Sequence, residues 1–123
     1  MPPSKKQITG RLGEKEASQF LQKKGYKILE TNLKKRYLEI DIVAKKDDII
    51  VFIEVKTRSI DNIGTAEEAV DRKKIRRLIR SAKLYQNFHS NYENTLRIDA
   101  VCVYFDNNFQ VKLINHYENI SQL

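Results

Sequence analysis

The stretch LEIDIVAKKDDIIVFIEVKTRS, Leu38 to Ser59, constrains this chain most, because it sets Asp41, Glu54 and Lys56 inside runs of Ile, Val and Phe that otherwise read as buried strands. Asp47-Asp48 is the turn candidate between the two runs, RYLEIDIVAK and IIVFIEVKTR. With those two aspartates at the centre of a tight hairpin, Asp41 faces Glu54 and Glu39 faces Lys56. Directly opposed Cβ atoms lie about 4.5–5.5 Å apart, so two carboxylates would crowd each other at a half-enclosed site. Such a pair destabilises a sheet, whereas a divalent cation between the carboxylates turns the repulsion into binding. A bulge or longer turn would shift the register, but Glu54 and Lys56 share one face of their own strand regardless.

Taken singly, these charges have plainer readings: Asp41 as a buried carboxylate paired with a lysine or arginine, and Glu54 and Lys56 as a salt-bridge ladder on an edge strand. As a set they are more specific. Asp, twelve intervening residues, then Glu-x-Lys supply two metal-binding carboxylates and a cation. Phosphodiester hydrolysis needs those groups: oxygen ligands for Mg²⁺, and a positive charge to orient the attacking water and stabilise the phosphoryl oxygens.

The rest of the chain reads as elements around this pair. Leu12, Ala17, Phe20 and Leu21 predict a first helix ending at Gly25, followed by a strand over YKILETN. After the loop SIDNIGT comes a long helix ending near Phe88 to Asn94, and LRIDAVCVYF and FQVKLINHY read as closing strands around Asp106-Asn107-Asn108. The order α, β, β, β, α, β, β predicts a small α/β sheet flanked by helices, in a single domain over residues 1–123.

The long helix carries the charge. In DRKKIRRLIRSAKLYQ, with Arg72 as zero, Ile75, Leu78, Ile79, Ala82 and Tyr85 fall at roughly 220° to 340°. Arg72, Lys73, Arg76, Arg77, Arg80 and Lys83 fall between roughly 0° and 140°, with Lys74 alone outside that arc. No acidic residue follows Asp71 until Glu93, so the basic face has no i,i+4 partners. With a formal net charge of +7, this face is either a solvated surface or a phosphate-binding one. No apolar run reaches the ~20 residues a bilayer span requires and the N-terminus lacks a signal-type apolar region, so the expectation is a cytoplasmic protein without a membrane partner. Cys102 reads as a small core residue, and His89 and His116 as surface or packing residues.

On these residues the chain resembles the PD-(D/E)XK, restriction-endonuclease-like nucleases, whose common core is an αβββαβ unit. The similarity extends along most of the chain to the bacterial YraN-like family, through TGRLGEKEASQFLQKKGYKILETN, EIDIVA, VFIEVKTRS, GTAEEAV and RIDAV. The resemblance implies Mg²⁺ or Mn²⁺ bound by Asp41, Glu54 and the Val55 carbonyl, with Lys56 acting on the nucleophilic water. Glu14 matches the first-helix glutamate that joins the metal site in related Holliday junction resolvases. It lies roughly 20° from Leu21 on the helical projection, at the margin of the apolar stripe; a plain preference for the helix N-terminal turn would also place it there. Glu39 is expected to pair with Lys56 or Arg58, and Asp99 to hold Arg97 or another basic residue in place. Leu38 departs from the glycine usual before Glu-Ile-Asp, where a side chain would narrow backbone access beside the metal. The expectation is a Mg²⁺-dependent DNA endonuclease, acting on branched or otherwise structured DNA, with a homodimer left open. The alternatives are a nucleic-acid-binding accessory protein that keeps the fold without turnover, and a structural partner in a DNA-processing complex.

Overall fold

The computed structural model describes residues 1–89 and 96–122. Helix α1 (Lys5–Lys23) starts at a reciprocal cap: Ser4 Oγ accepts the Gln7 N–H at 3.1 Å, and the Ser4 N–H donates to Gln7 Oε1 at 2.9 Å. It ends ahead of Gly25, whose φ of 93° is the left-handed conformation glycine adopts without steric cost. Strands β1 (Lys27–Lys35), β2 (Leu38–Lys46) and β3 (Ile49–Ser59) then form an antiparallel meander.

Strand β4 (Arg97–Phe105) runs parallel to β3, and parallel neighbours need a long crossover. Here that connection contains a 3-10 turn at Ile60–Asn62, a short helix α2 (Thr65–Glu68) and the basic helix α3 (Arg72–Phe88), capped by Asp71 Oδ1 on the Lys74 N–H at 2.9 Å. Strand β5 (Val111–Tyr117) pairs antiparallel with β4, completing a five-stranded mixed sheet in the order β1-β2-β3-β4-β5. This α/β sheet flanked by helices is consistent with a restriction-endonuclease-like core. The 3-10 turn and α2 were not expected from SIDNIGT; a distant side chain holds them, with Tyr104 Oη accepting the Gly64 N–H at 2.7 Å and the Ala66 N–H at 3.2 Å. Of the stretch expected to end α3, residues 90–94 lie outside those described.

Apolar side chains fill both faces of the sheet. Ile75, Leu78, Ala82 and Tyr85 of α3 pack with Leu38, Phe52 and Ile98 on one side, while Ala17 and Leu21 of α1 pack with Ile42, Ile53, Val55, Val101 and Val103 on the other. Central strands covered on both faces have to be apolar almost throughout, which is why β3 and β4 read as near-continuous hydrophobic runs. Glu54, 5% exposed, and Asp99, fully buried, are the buried charged residues of these two strands.

Candidate active site

The β2–β3 hairpin has the register expected from its aspartate turn, from Lys46↔Ile49 to Ile42↔Ile53, and the ladder stops there. Alternate residues of a strand direct their backbone groups to the same flank, so Val55 is the next residue of β3 to face β2. Its N–H finds no backbone rung and donates instead to Asp41 Oδ2 at 2.8 Å. The strands therefore part at the site, and the expected direct oppositions of Asp41 with Glu54 and Glu39 with Lys56 are not pairs of the ladder. Asp41 nevertheless stays near enough to Glu54 for its charge to act on that carboxyl. The Val55 carbonyl faces the same flank as its N–H, beside Asp41.

Glu54 projects towards α3 and meets two ammonium groups, Lys56 Nζ 3.9 Å from Oε1 and Lys74 Nζ 3.6 Å from Oε2. Burial and the adjacent Asp41 charge outweigh these cations, and the Glu54 carboxyl is pushed up to about 8. At neutral pH Glu54 therefore favours its protonated form. Lys74 reaches the site although it lies apart from the basic face of the helix. Its signal was angular: it is the one basic residue of the helix lying outside the basic arc.

Glu14 approaches from the opposite side of the sheet. Burial, then the charge of Asp41, raises its pKa, so both Glu14 and Glu54 feel Asp41 through the gap where β2 and β3 part. Gly13 makes this approach possible, since a Cβ there would lie 1.8 Å from Thr57 Cγ2. Among the described residues, no three His, Cys, Asp or Glu side chains converge into a ready-made metal cage. Two carboxylates suffice for Mg²⁺, which keeps several of its waters, and the oxygen donors here suit it or Mn²⁺.

The remaining expectations divide. Arg72, Lys73, Arg76, Arg77, Arg80 and Lys83 are all exposed. Arg77 and Arg80 join Lys74, Lys34 and Lys35 around a cleft of about 420 Å³ between α3 and the β1–β2 hairpin. Glu39 pairs with neither Lys56 nor Arg58. The parting of the strands leaves it to α3, where its N–H donates to Ser81 Oγ at 3.2 Å and its carboxylate lies 3.9 Å from Arg77. Leu38 is buried in the α3-side core. Asp99 holds Arg97 through two hydrogen bonds of 3.0 and 2.9 Å, as expected, and also binds His116 Nε2 at 2.8 Å. His116 is thus a hydrogen-bonded interior residue as well as a packing one. Cys102 is buried, its thiol pushed up to about 12, mainly by burial.

A family profile described as "Uncharacterised protein family UPF0102" matches residues 13–103, a span that runs from Gly13 through every carboxylate and lysine of this site. The chain belongs to UPF0102. A UPF0102 protein of Syntrophomonas wolfei is 44% identical over 110 residues, covering 89% of this chain and 94% of the relative. UPF0102 protein TTE1452 of Caldanaerobacter subterraneus is 40% identical over 115 residues, covering 93% and 94%. One from Parabacteroides distasonis is 45% identical over 92 residues, covering 75% of each chain. UPF0102 is the YraN-like family to which the motifs pointed. In this UPF0102 protein, no helix among the described residues is long and apolar enough to cross a membrane.

Proposed function

We propose that this UPF0102 protein is a Mg²⁺- or Mn²⁺-dependent DNA endonuclease of the PD-(D/E)XK kind, related to Holliday junction resolvases and acting on structured DNA. The observation that carries the reading is the crowding of Asp41 and Glu54 in the gap between β2 and β3, with Lys56 and Lys74 beside them. A half-buried acid beside a buried one in a sheet gains little from it, and a hard cation is what such a pair suits.

Asp41, Glu54 and the Val55 carbonyl would hold the metal, with Glu14 within electrostatic range of Asp41. A bound metal would polarise a phosphoryl oxygen and make its water more acidic. The side chains do the rest. Val55 N–H fixes the Asp41 carboxylate, so the donor does not have to be ordered when substrate arrives. Glu54 would release its proton to solvent in order to serve as a ligand. Lys56 orients the water, and Lys74, from the other side of Glu54, offers a second positive charge to the phosphate. The exposed arginines and lysines of α3 grip the flanking backbone.

A binding role without turnover is favoured by one observation: among the described residues, no third acidic or histidine ligand closes a cage around the pair. Incubating the protein with linear, single-stranded and four-way-junction DNA in Mg²⁺, Mn²⁺ or EDTA separates the readings. Metal-dependent cleavage, strongest on a structured substrate, is expected. DNA binding with no cleavage in any metal would leave the binding role.

A further inference from the structure

The tip of the β1–β2 hairpin has two features that folding leaves unexplained. Tyr37 sits at φ 65°, a left-handed conformation that bulky residues rarely adopt and that glycine or asparagine takes at lower cost. Its ring is also 78% exposed, with the Arg36 guanidinium carbon 5.1 Å from the centroid. Phe88, at the end of α3 and 79% exposed, lines the same cleft of about 380 Å³, together with Leu33, Leu38 and Leu84. This aromatic cleft shares Lys35, Tyr37, Leu38 and Leu84 with the basic cleft beside Lys74.

We infer that the aromatic cleft receives an unpaired nucleobase, stacked on Tyr37, from a DNA strand whose phosphates follow the basic cleft. An aromatic ring accepts any base face, and neighbouring cations hold the strand that presents it. A paired duplex keeps its bases inside, so Tyr37 selects DNA with flapped, frayed or junction nucleotides. Charge favours this occupant over a second copy of the chain. Lys34, Lys35, Arg36, Lys74, Arg77 and Arg80 outnumber Glu30 and Glu39 around the joined clefts, and a second copy would bring a further net charge of +7. The inference rests on the proposed function for its polyanion but needs no cleavage.

The test is therefore run in EDTA, by fluorescence anisotropy with a single-stranded oligonucleotide, the same backbone carrying abasic sites, and a blunt duplex. Tyr37→Asn, which suits the left-handed backbone, is expected to weaken binding to the base-bearing strand roughly 10-fold or more. Binding to the abasic strand and the duplex is expected to stay within about 2-fold, since phosphate contacts persist. The chain has no tryptophan, so Tyr37→Trp supplies a single reporter whose emission the base-bearing strand quenches and the abasic strand does not. Equal affinities of wild type and Tyr37→Asn for the base-bearing strand overturn the inference. A changed oligomeric state with that affinity unchanged also overturns it and marks the tip as a contact between copies. If binding depends on Arg77 and Arg80 but not on Tyr37, only this inference falls; if the wild type binds none of the three DNAs, the proposed function falls with it.

Discussion

The Asp41 carboxylate accepts the Val55 N–H at 2.8 Å, at the point where the backbone ladder between β2 and β3 has ended. One hydrogen bond thus satisfies a strand donor with a side chain and anchors the first carboxylate next to the second. Asp41→Asn alters the donor set while keeping an oxygen that can still receive the Val55 N–H.

Mg²⁺ and Mn²⁺ are accordingly expected to raise the melting temperature of the wild type, because they bind the folded pair and not the unfolded chain. Saturation at 100 times Kd corresponds to about 2.7 kcal/mol. Asp41→Asn should lose most of this response. The shift should be larger at pH 8.5 than at pH 6.5, since Glu54 must release its proton to become a ligand. Without metal the slope has the opposite sign: the folded state holds a proton that an unfolded glutamate sheds above about pH 4.3, so this contribution is lost as pH rises towards about 8. Titration calorimetry that finds no divalent binding at either pH would remove the metal from the account.

Gly13→Ala should destabilise the protein by about 1–3 kcal/mol in urea melts, the usual cost of forcing a methyl into packed space, because its Cβ would collide with Thr57 Cγ2. Thr57→Ser removes that methyl and should recover part of the loss in the double variant. Additive losses would show that this contact does not set the position of α1.

Asp99 is buried, which by itself would raise its pKa, but hydrogen bonds from His116, Arg97 and the Asn119 N–H hold it below the ordinary aspartate value. Its stabilisation is therefore present at neutral pH and lost as pH falls below about 4 through its own pKa. Asp99→Asn should cost about 3–5 kcal/mol at pH 7, the loss expected when one partner of a buried ion pair is removed. Urea melts from pH 3 to 7 should show a smaller acid-linked loss in this variant than in the wild type.

Changing Arg76, Arg77 and Arg80 to alanine should weaken DNA binding across sequences and flatten its salt dependence, each lost phosphate contact reducing the slope by about 0.9 on duplex DNA. The three side chains are exposed, so the melting temperature should hardly move. An unchanged slope would make this face an ordinary solvated surface.

How much of this was legible in the sequence follows from which interactions are local. The Asp47-Asp48 turn fixed the register of five rungs, and the apolar arc of α3 identified its buried face. The parting of β2 and β3 was not legible, because it depends on a side chain reaching the backbone of another strand. Nor was α2, held by Tyr104 from β4. Gly13 was visible as a glycine in a helical pattern, but its contact with Thr57 spans two elements. The separation of Lys74 from the basic arc was readable by angle; that it reaches Glu54 required the packing of α3 on the sheet.

Lys56→Ala is the most direct test of the central claim, because it leaves Asp41, Glu54 and the α3 arginines in place and removes only the cation assigned to the water and the phosphoryl oxygens. Cleavage of four-way-junction DNA in Mg²⁺ should be compared between matched preparations, since a contaminating nuclease would not follow the substitution. The account predicts a rate about 10²–10³ lower for the variant, with metal and DNA affinities near those of the wild type. Cleavage by Lys56→Ala at the wild-type rate would contradict it.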